Sequence, residues 1–387
     1  MKWIHKWPIQ EPQINSKDLK KLILWIVTLF GFAALMAQKA QDKPHQLRLS
    51  AYVDGYFAAY SNDIGQQEFQ PNITVGARDN TFGVNVAQLG LHYEHQNVRG
   101  NVTVHYGDIP QATWSNDFNM IQEANMGVRI LEGLWLDAGF FATHIGTESF
   151  LPKSNMLSST AFATYNEPFY QAGAKLSYGN VANWHFEVWG LNGYDSFVDN
   201  NDAKSAGVLV SHDFSNNTSI TYTNLYGRES EDRIFPKQQR FYQNIYLNQN
   251  WNDKVFLTLG FDHGLQSNSQ LENPKETATM YNALATLRYQ FDPRWSITGR
   301  FELFKDENGF ITGTMLDTVG NPAGVELVGY TLGTEYRPIA NAYIRAEARY
   351  AGTEDDLGLF VKDGETVDHR LEVLFTMGWY LDHLFNF

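Results

Sequence analysis

No cysteine occurs anywhere in the 387 residues, which excludes a disulfide framework and a thiol nucleophile. Beyond residue 37 no apolar run reaches the roughly 20 residues that a membrane-spanning helix needs. The HExxH, P-loop and GxSxG spacings are missing. His92 and His95, three apart in a strand-like segment, fall on opposite faces and make a poor metal pair. His212 is the nearest candidate for a lipid-facing serine–histidine pair, and no serine in its own segment shares its phase. Positive charge is scarce: 29 Lys and Arg stand against 43 Asp and Glu, a formal charge of −14, which argues against a nucleic-acid partner. No repeat of propeller-blade length is present. These absences leave no cofactor, metal or enzymatic activity to expect.

What the chain has in quantity is alternation. Leu371, Val373, Phe375, Met377, Trp379, Leu381, His383, Phe385 and Phe387 form an every-other-residue stripe, with mostly polar or small residues between them. A period of two over this length is a β-strand with one greasy and one wetter face. Aromatics at its end suit the interfacial girdle of a membrane β-barrel. A mean hydropathy of −0.37 fits such a barrel, because outward and inward residues average out along each strand.

The N-terminus breaks the pattern. Leu22 to Ala37 is a continuous apolar run just after Lys17, Lys20 and Lys21, too short for a spanning helix and ending in small residues. This reads as a secretory signal peptide over residues 1–37, with a retained membrane anchor as the other reading. A short periplasmic segment over 38–46 and a barrel over 47–387 would follow. Removing the leader takes away five lysines and two acids and moves the formal charge from −14 to −17. Much of that excess sits in the Glu354, Asp355, Asp356, Asp363, Glu365 and Asp368 region, a solvated loop by composition.

Sixteen candidate strands follow, from Leu47–Ser61 to Arg370 and the C-terminus, so the expected fold is all-β: a transmembrane antiparallel up-and-down barrel of about sixteen strands. The connections alternate short and long. Gln96-Asn97, Leu131–Gly133, Asn252–Lys254 and Asp292–Arg294 are tight and rich in Asn, Asp, Gly and Pro, as hairpins require. Short periplasmic turns and long outside loops are the asymmetry of an outer-membrane barrel. Two strands carry defects. The second changes phase between Phe82, Val84, Val86 and Leu89, Leu91, Tyr93, which a bulge near Ala87-Gln88 would reconcile. The ninth places Asn224 on the outward face.

If the apolar phase faces lipid, the other phase lines the lumen. Its bases are Arg48, Arg99, Arg129, Lys175, Arg240, Arg288, Arg300, Arg345, Arg349 and Arg370; its acids are Asp54, Glu123, Asp137, Glu187, Asp262, Glu302, Glu335, Glu347 and Glu372. Near-balanced charges on neighbouring strands can pair across a watery wall, and some could set solute preference at a narrowing. The longest loop, Gly146–Pro168, is the third outside loop. Its centre, Ser154–Tyr165, suits a short helix, and its position and length are similar to the inward-folded third loop of trimeric general porins. That makes Glu148 and Glu167 candidates for a constriction.

Several blocks carry a family resemblance: Asn80-Thr-Phe-Gly-Val-Asn, Leu89-Gly-Leu-His-Tyr-Glu, Glu123-Ala-Asn-Met-Gly-Val-Arg, Leu134-Trp-Leu-Asp-Ala-Gly, His144-Ile-Gly-Thr-Glu-Ser and Glu167-Pro-Phe-Tyr-Gln-Ala-Gly-Ala-Lys-Leu. Together they resemble the OmpL-like β-barrel porins of Gram-negative bacteria, over the chain from about Leu47 onward. The resemblance implies an outer-membrane pore for small hydrophilic solutes, embedded in outer-membrane lipid, and supplies no catalytic residues. Phe387 is similar to the C-terminal aromatic signal read by the barrel assembly machinery, and association into a homotrimer is a further expectation. The reading from another class is a non-conducting surface barrel, an adhesin or structural protein.

Overall fold

The computed structural model describes residues 45–65, 68–198, 201–230, 236–353 and 357–387. The leader, most of the 38–46 segment and the Glu354–Asp356 acids lie outside them. Among the described residues, sixteen antiparallel strands close into one barrel. In chain order, two-stranded hairpins within two of the outer loops count as β14–β15 (Met315–Leu316, Pro322–Ala323) and β18–β19 (Phe360–Lys362, Glu365–Val367). The expected strand number is met, and these two hairpins are additions that the alternation did not signal.

Closure is made by the first and last strands. β1 (Gln46–Tyr60) pairs with β20 (His369–Asn386) from Gln46 opposite Asn386 to Tyr60 opposite Glu372. His45 and Phe387 exchange two backbone hydrogen bonds of 2.9 and 3.0 Å, and their rings stack at 5.8 Å. Both ends of the wall therefore meet on the side of the short turns. Those turns rely on left-handed residues where the sequence offers them, including Asn183, Asn252 and Asp253 at φ of 64, 55 and 55°.

Alternation appears directly in exposure. Along β13 (Trp295–Asp306), Ile297, Phe301 and Leu303 are exposed while Ser296, Thr298, Arg300, Glu302 and Phe304 are buried. Outward aromatics gather at both rims. Trp184, Phe214, Trp251, Phe291, Trp295 and Trp379 ring the turn side; Phe82, Tyr106, Tyr226, Tyr281, Tyr330 and Tyr350 ring the loop side. Aliphatic residues such as Leu89, Leu259, Leu287 and Leu332 lie between them, giving an apolar band with aromatic girdles. His212 belongs to the lower girdle, stacked 4.2 Å from Trp184 with Nδ1 3.1 Å from the Asn183 carbonyl.

The two irregular strands resolve locally. In β2 (Thr81–Glu94) the bulge lies earlier than Ala87-Gln88: Asp54 pairs with Val86 and Gly55 with Val84, which leaves Asn85 as the extra residue. Asn85 and Val86 both turn inward, and Asn85 Nδ2 donates to the Asp54 carboxylate at 2.6 Å. In β9 (Thr218–Arg228) Asn224 does face outward. It donates to the Tyr222 hydroxyl at 3.1 Å, and Tyr222 in turn donates to Gln243 at 3.1 Å, so the amide is satisfied within the wall.

The upper lumen is more apolar than an aqueous lining would be. Near the loop ends of their strands, inward-facing Trp189, Leu191, Leu225, Tyr242, Met280 and Phe304 pack with Phe162 of the third loop and with Leu357, Leu359 and Phe360 from the last.

Candidate functional site

The third loop (L3) spans residues 143–169, between β5 (Leu134–Ala142) and β6 (Tyr170–Val181). Of the helix expected over Ser154–Tyr165, only the ends are wound: a 3₁₀ turn at Pro152–Ser154 and α2 at Phe162–Asn166, the short Asp108–Thr113 helix of the second loop being α1. Residues 155–161 between them have no regular structure, because their backbone polar groups bond to the barrel wall. An irregular segment buried away from water must find partners for every such group.

The wall supplies them from β12 (Ala278–Gln290), β13 and β17 (Ala342–Thr353), with β16 (Val325–Ile339) lying between the last two. Arg345 donates to the carbonyls of Pro152 and Asn155, both at 2.9 Å. Arg288 donates to the Met156 carbonyl, and Arg300 to those of Ser159 (2.6 Å) and Thr160 (3.2 Å). Carboxylates take the N–H groups: Glu347 accepts from Ser158 (2.5 Å) and Ser159 (3.1 Å), and Glu302 from Phe162 (2.7 Å). Arginine, with five donors in a fixed fork, and carboxylate, which only accepts, are the side chains that can dock bare backbone this way.

The docking residues also pair among themselves across adjacent strands. Arg345 lies opposite Glu335 with Nε 2.7 Å from its carboxylate, and Arg288 reaches the same carboxylate at 3.3 Å. Arg349 bridges Glu302 at 2.7 Å and Glu372 at 3.7 Å, while Arg370 holds Glu372 at 2.8 Å. Arg300 touches Glu302 at 3.4 Å and Glu148 of L3 at 3.3 Å. All are nearly inaccessible. Arg288, Arg300 and Arg345 are therefore a loop dock, while Arg349 lies 4.0 Å from the Phe162 ring centre and Arg370 donates to the Pro71 carbonyl of the first outer loop at 3.1 Å. Steric fit adds to it: a Cβ on Gly333 would lie 2.5 Å from Leu157 Cδ2, and one on Gly260 2.3 Å from Thr147 Oγ1. Glycine at these positions lets L3 sit against the strands.

The other charges form a second sector. Arg99 makes two bonds to Asp137 at 2.6 and 2.5 Å, and Lys175 meets Glu187 at 2.9 Å. Glu123 accepts from Asn101 and from the Ala142 N–H at 3.3 Å. Arg129 lies apart at the turn-side rim, bonded to Asn97 at 2.9 Å. Two cavities flank the first residues of L3 and share Ala142, Thr143, His144 and Leu209. One, of about 430 Å³, is lined by this second sector; the other, of about 500 Å³, by Glu148, Glu167, Tyr246, Asn248 and Thr258. Burial pushes the Glu148 carboxyl above its ordinary range, with the Arg300 guanidinium acting against the shift. His144, stacked on Trp189 at 4.7 Å, is held neutral by burial, its pKa lowered to about 4.

The foot of L3 rests on the fourth loop. Asp195 accepts backbone N–H bonds from Phe169 (2.8 Å) and Tyr170 (3.3 Å), and burial pushes its carboxyl up to about 7. A raised acid pKa means that the folded form binds the extra proton, so this contribution weakens as pH climbs from about 4 towards 7 and above. Protection factors at Phe169 and Tyr170, which divide out the intrinsic rise of amide exchange with pH, are expected to fall over that window, and Asp195→Asn, which keeps the accepting oxygen, should flatten their pH profile.

The spacing puts these charged residues on the inward phase but does not show what they hold. It also misses the apolar upper lumen, although its signal is present: on several strands the inward phase changes from polar to apolar toward the loop end.

A closed sixteen-strand barrel with an apolar outer band and a charged interior is an outer-membrane porin architecture. The chain belongs to the family described as "Putative beta-barrel porin-2, OmpL-like", whose model matches residues 46–380. It resides in the outer membrane, as its family and fold place it. No curated protein matches it in sequence. Among solved structures, an anion-selective porin from Comamonas acidovorans is similar with a TM-score of 0.59 at 9% identity, covering 87% of this chain and 100% of that one. OmpT of Vibrio cholerae has a TM-score of 0.57 at 13% identity, covering 88% and 99%. The outer-membrane channel DcaP of Acinetobacter baumannii has 0.57 at 10%, covering 87% and 97%. At these identities the likeness concerns fold alone.

Proposed function

We propose that this porin passes small hydrophilic solutes by passive diffusion, filtering them by size at L3 and by charge along its flanks. The observation that carries the reading is the pair of cavities left beside a loop fixed to one side of the lumen. In this reading Glu148 and Glu167 stand at the constriction. Arg99, Glu123, Asp137, Lys175 and Glu187 line the open side, and Arg129 guards the turn-side mouth. The paired charges of that sector nearly balance, which argues for weak ion preference. No enzymatic step is assigned. A structural neighbour described as a trimer form motivates a homotrimer here. Residues 1–37 act as a cleaved leader, and Phe387 as the assembly signal.

Apolar packing in the upper lumen favours a second reading, a barrel too well filled to conduct. Liposome swelling with uncharged sugars of increasing size separates the two. The channel reading expects entry of monosaccharides with a sharp fall for larger oligosaccharides. A folded barrel that admits none would support the non-conducting alternative.

A further inference from the structure

One group of polar side chains is left over by the docking scheme. Thr223 on β9, Asn244 on β10 (Gln239–Trp251), Asp262 on β11 (Val255–Gln266) and Asn282 on β12 stand opposite one another in register, all facing inward and all buried. Asn244 donates to one oxygen of Asp262 at 2.6 Å and Asn282 to the other at 2.9 Å. An amide that donates to Asp262 keeps its own carbonyl oxygen within about 5 Å of that carboxylate, the span across one ion's ligand shell. Both of those carbonyl oxygens, and the Thr223 hydroxyl, lack a partner. Glu167 descends from L3 to within hydrogen-bonding reach of Asp262, with the Tyr242 hydroxyl 3.3 Å from its carboxylate. Among the described residues neither carboxylate makes an ion pair with a lysine or arginine, and Glu148, which also acts on Glu167, is another carboxylate.

We infer that this cluster, where L3 meets β10–β12, is a binding site for a divalent cation, with calcium the best fit. Two buried carboxylates without a counter-charge must take up a proton or a metal. A shared proton relieves part of the charge but leaves the two buried amide oxygens beside Asp262 unsatisfied. A cation answers both needs. The donor set is all oxygen, from the two carboxylates and the two amides that touch Asp262, with Thr223 two strands away and outside it, which suits the flexible six-to-eight-fold coordination of Ca²⁺. Mg²⁺ demands stricter octahedral geometry and sheds water reluctantly, and softer metals prefer nitrogen or sulfur. Bound there, the ion would fasten the Glu167 end of L3 to the wall next to the arginine dock, on strands that adjoin it.

The test is calorimetric titration of the full processed barrel in detergent with CaCl₂ near neutral pH, after chelator treatment. One saturable site per chain is expected, lost in Asp262→Asn, weakened about tenfold or more in Asn282→Leu, and filled poorly by MgCl₂. Asn282→Leu keeps both carboxylates and so decides the matter even if Asp262→Asn does not fold. Calcium heats that are absent, or unchanged in these variants, overturn the proposal. No conductance enters the readout, so failure here is distinct from failure of the channel reading.

Discussion

Replacing residues 150–161 with a short Gly-Ser link is expected to raise single-channel conductance several-fold. Conductance follows the narrowest cross-section, and L3 occupies lumen that a sixteen-strand barrel would otherwise leave as an aqueous channel. The excised segment contributes no strand to the wall, so the closed ladder from β1 to β20 persists. Arg288, Arg300 and Arg345 lose their carbonyl partners in the variant, yet water now reaches them, which avoids the penalty of an unpaired charge left buried. The variant is therefore expected to fold, with looser charge pairs. Planar bilayers read the change directly; an unaltered step size would mean that the loop does not set the cross-section.

A second large effect is expected on the outer surface. Leu332→Arg places a cation in the apolar band, at a residue that is 59% exposed and lines one outer depression with Phe301, Tyr330 and Leu371. Arginine near the midplane of a barrel's lipid face costs about 2–4 kcal/mol. The adjacent Thr331 points inward, so Thr331→Ser is expected to cost little. Reversible unfolding in urea with lipid vesicles, comparing the two variants, gives the difference. Equal costs would show that the phases of β16 are not divided between oil and water.

The wall was legible in the sequence because its cause is local. Period-two alternation reports which side of the sheet each residue takes, and Asn–Asp–Gly turns report where the chain reverses. Phe82 and Leu89 even betray the bulge of β2 by falling out of phase, although its site at Asn85 depends on a buried hydrogen bond to Asp54 that spacing does not reveal. The loop dock was not legible. Arg300 and Ser159 lie 141 positions apart, and a carbonyl of an irregular segment leaves no mark in the sequence to name its donor. A balanced row of Arg and Glu reads as a wet lining until something is seen to cover it. The same holds for Asp262, which spacing presents as one more lumen acid and which the fold surrounds with amides.

Chemical cross-linking of Leu157→Cys with Gly333→Cys tests most directly whether L3 lies against the β16 wall. The chain has no cysteine of its own, so the pair reports alone. Near-complete disulfide formation in the folded barrel, with conductance unchanged from the parent, is the predicted result. A pair that stays reduced under oxidant in a correctly folded barrel would contradict it, because the loop would then stand away from the arginines said to hold it.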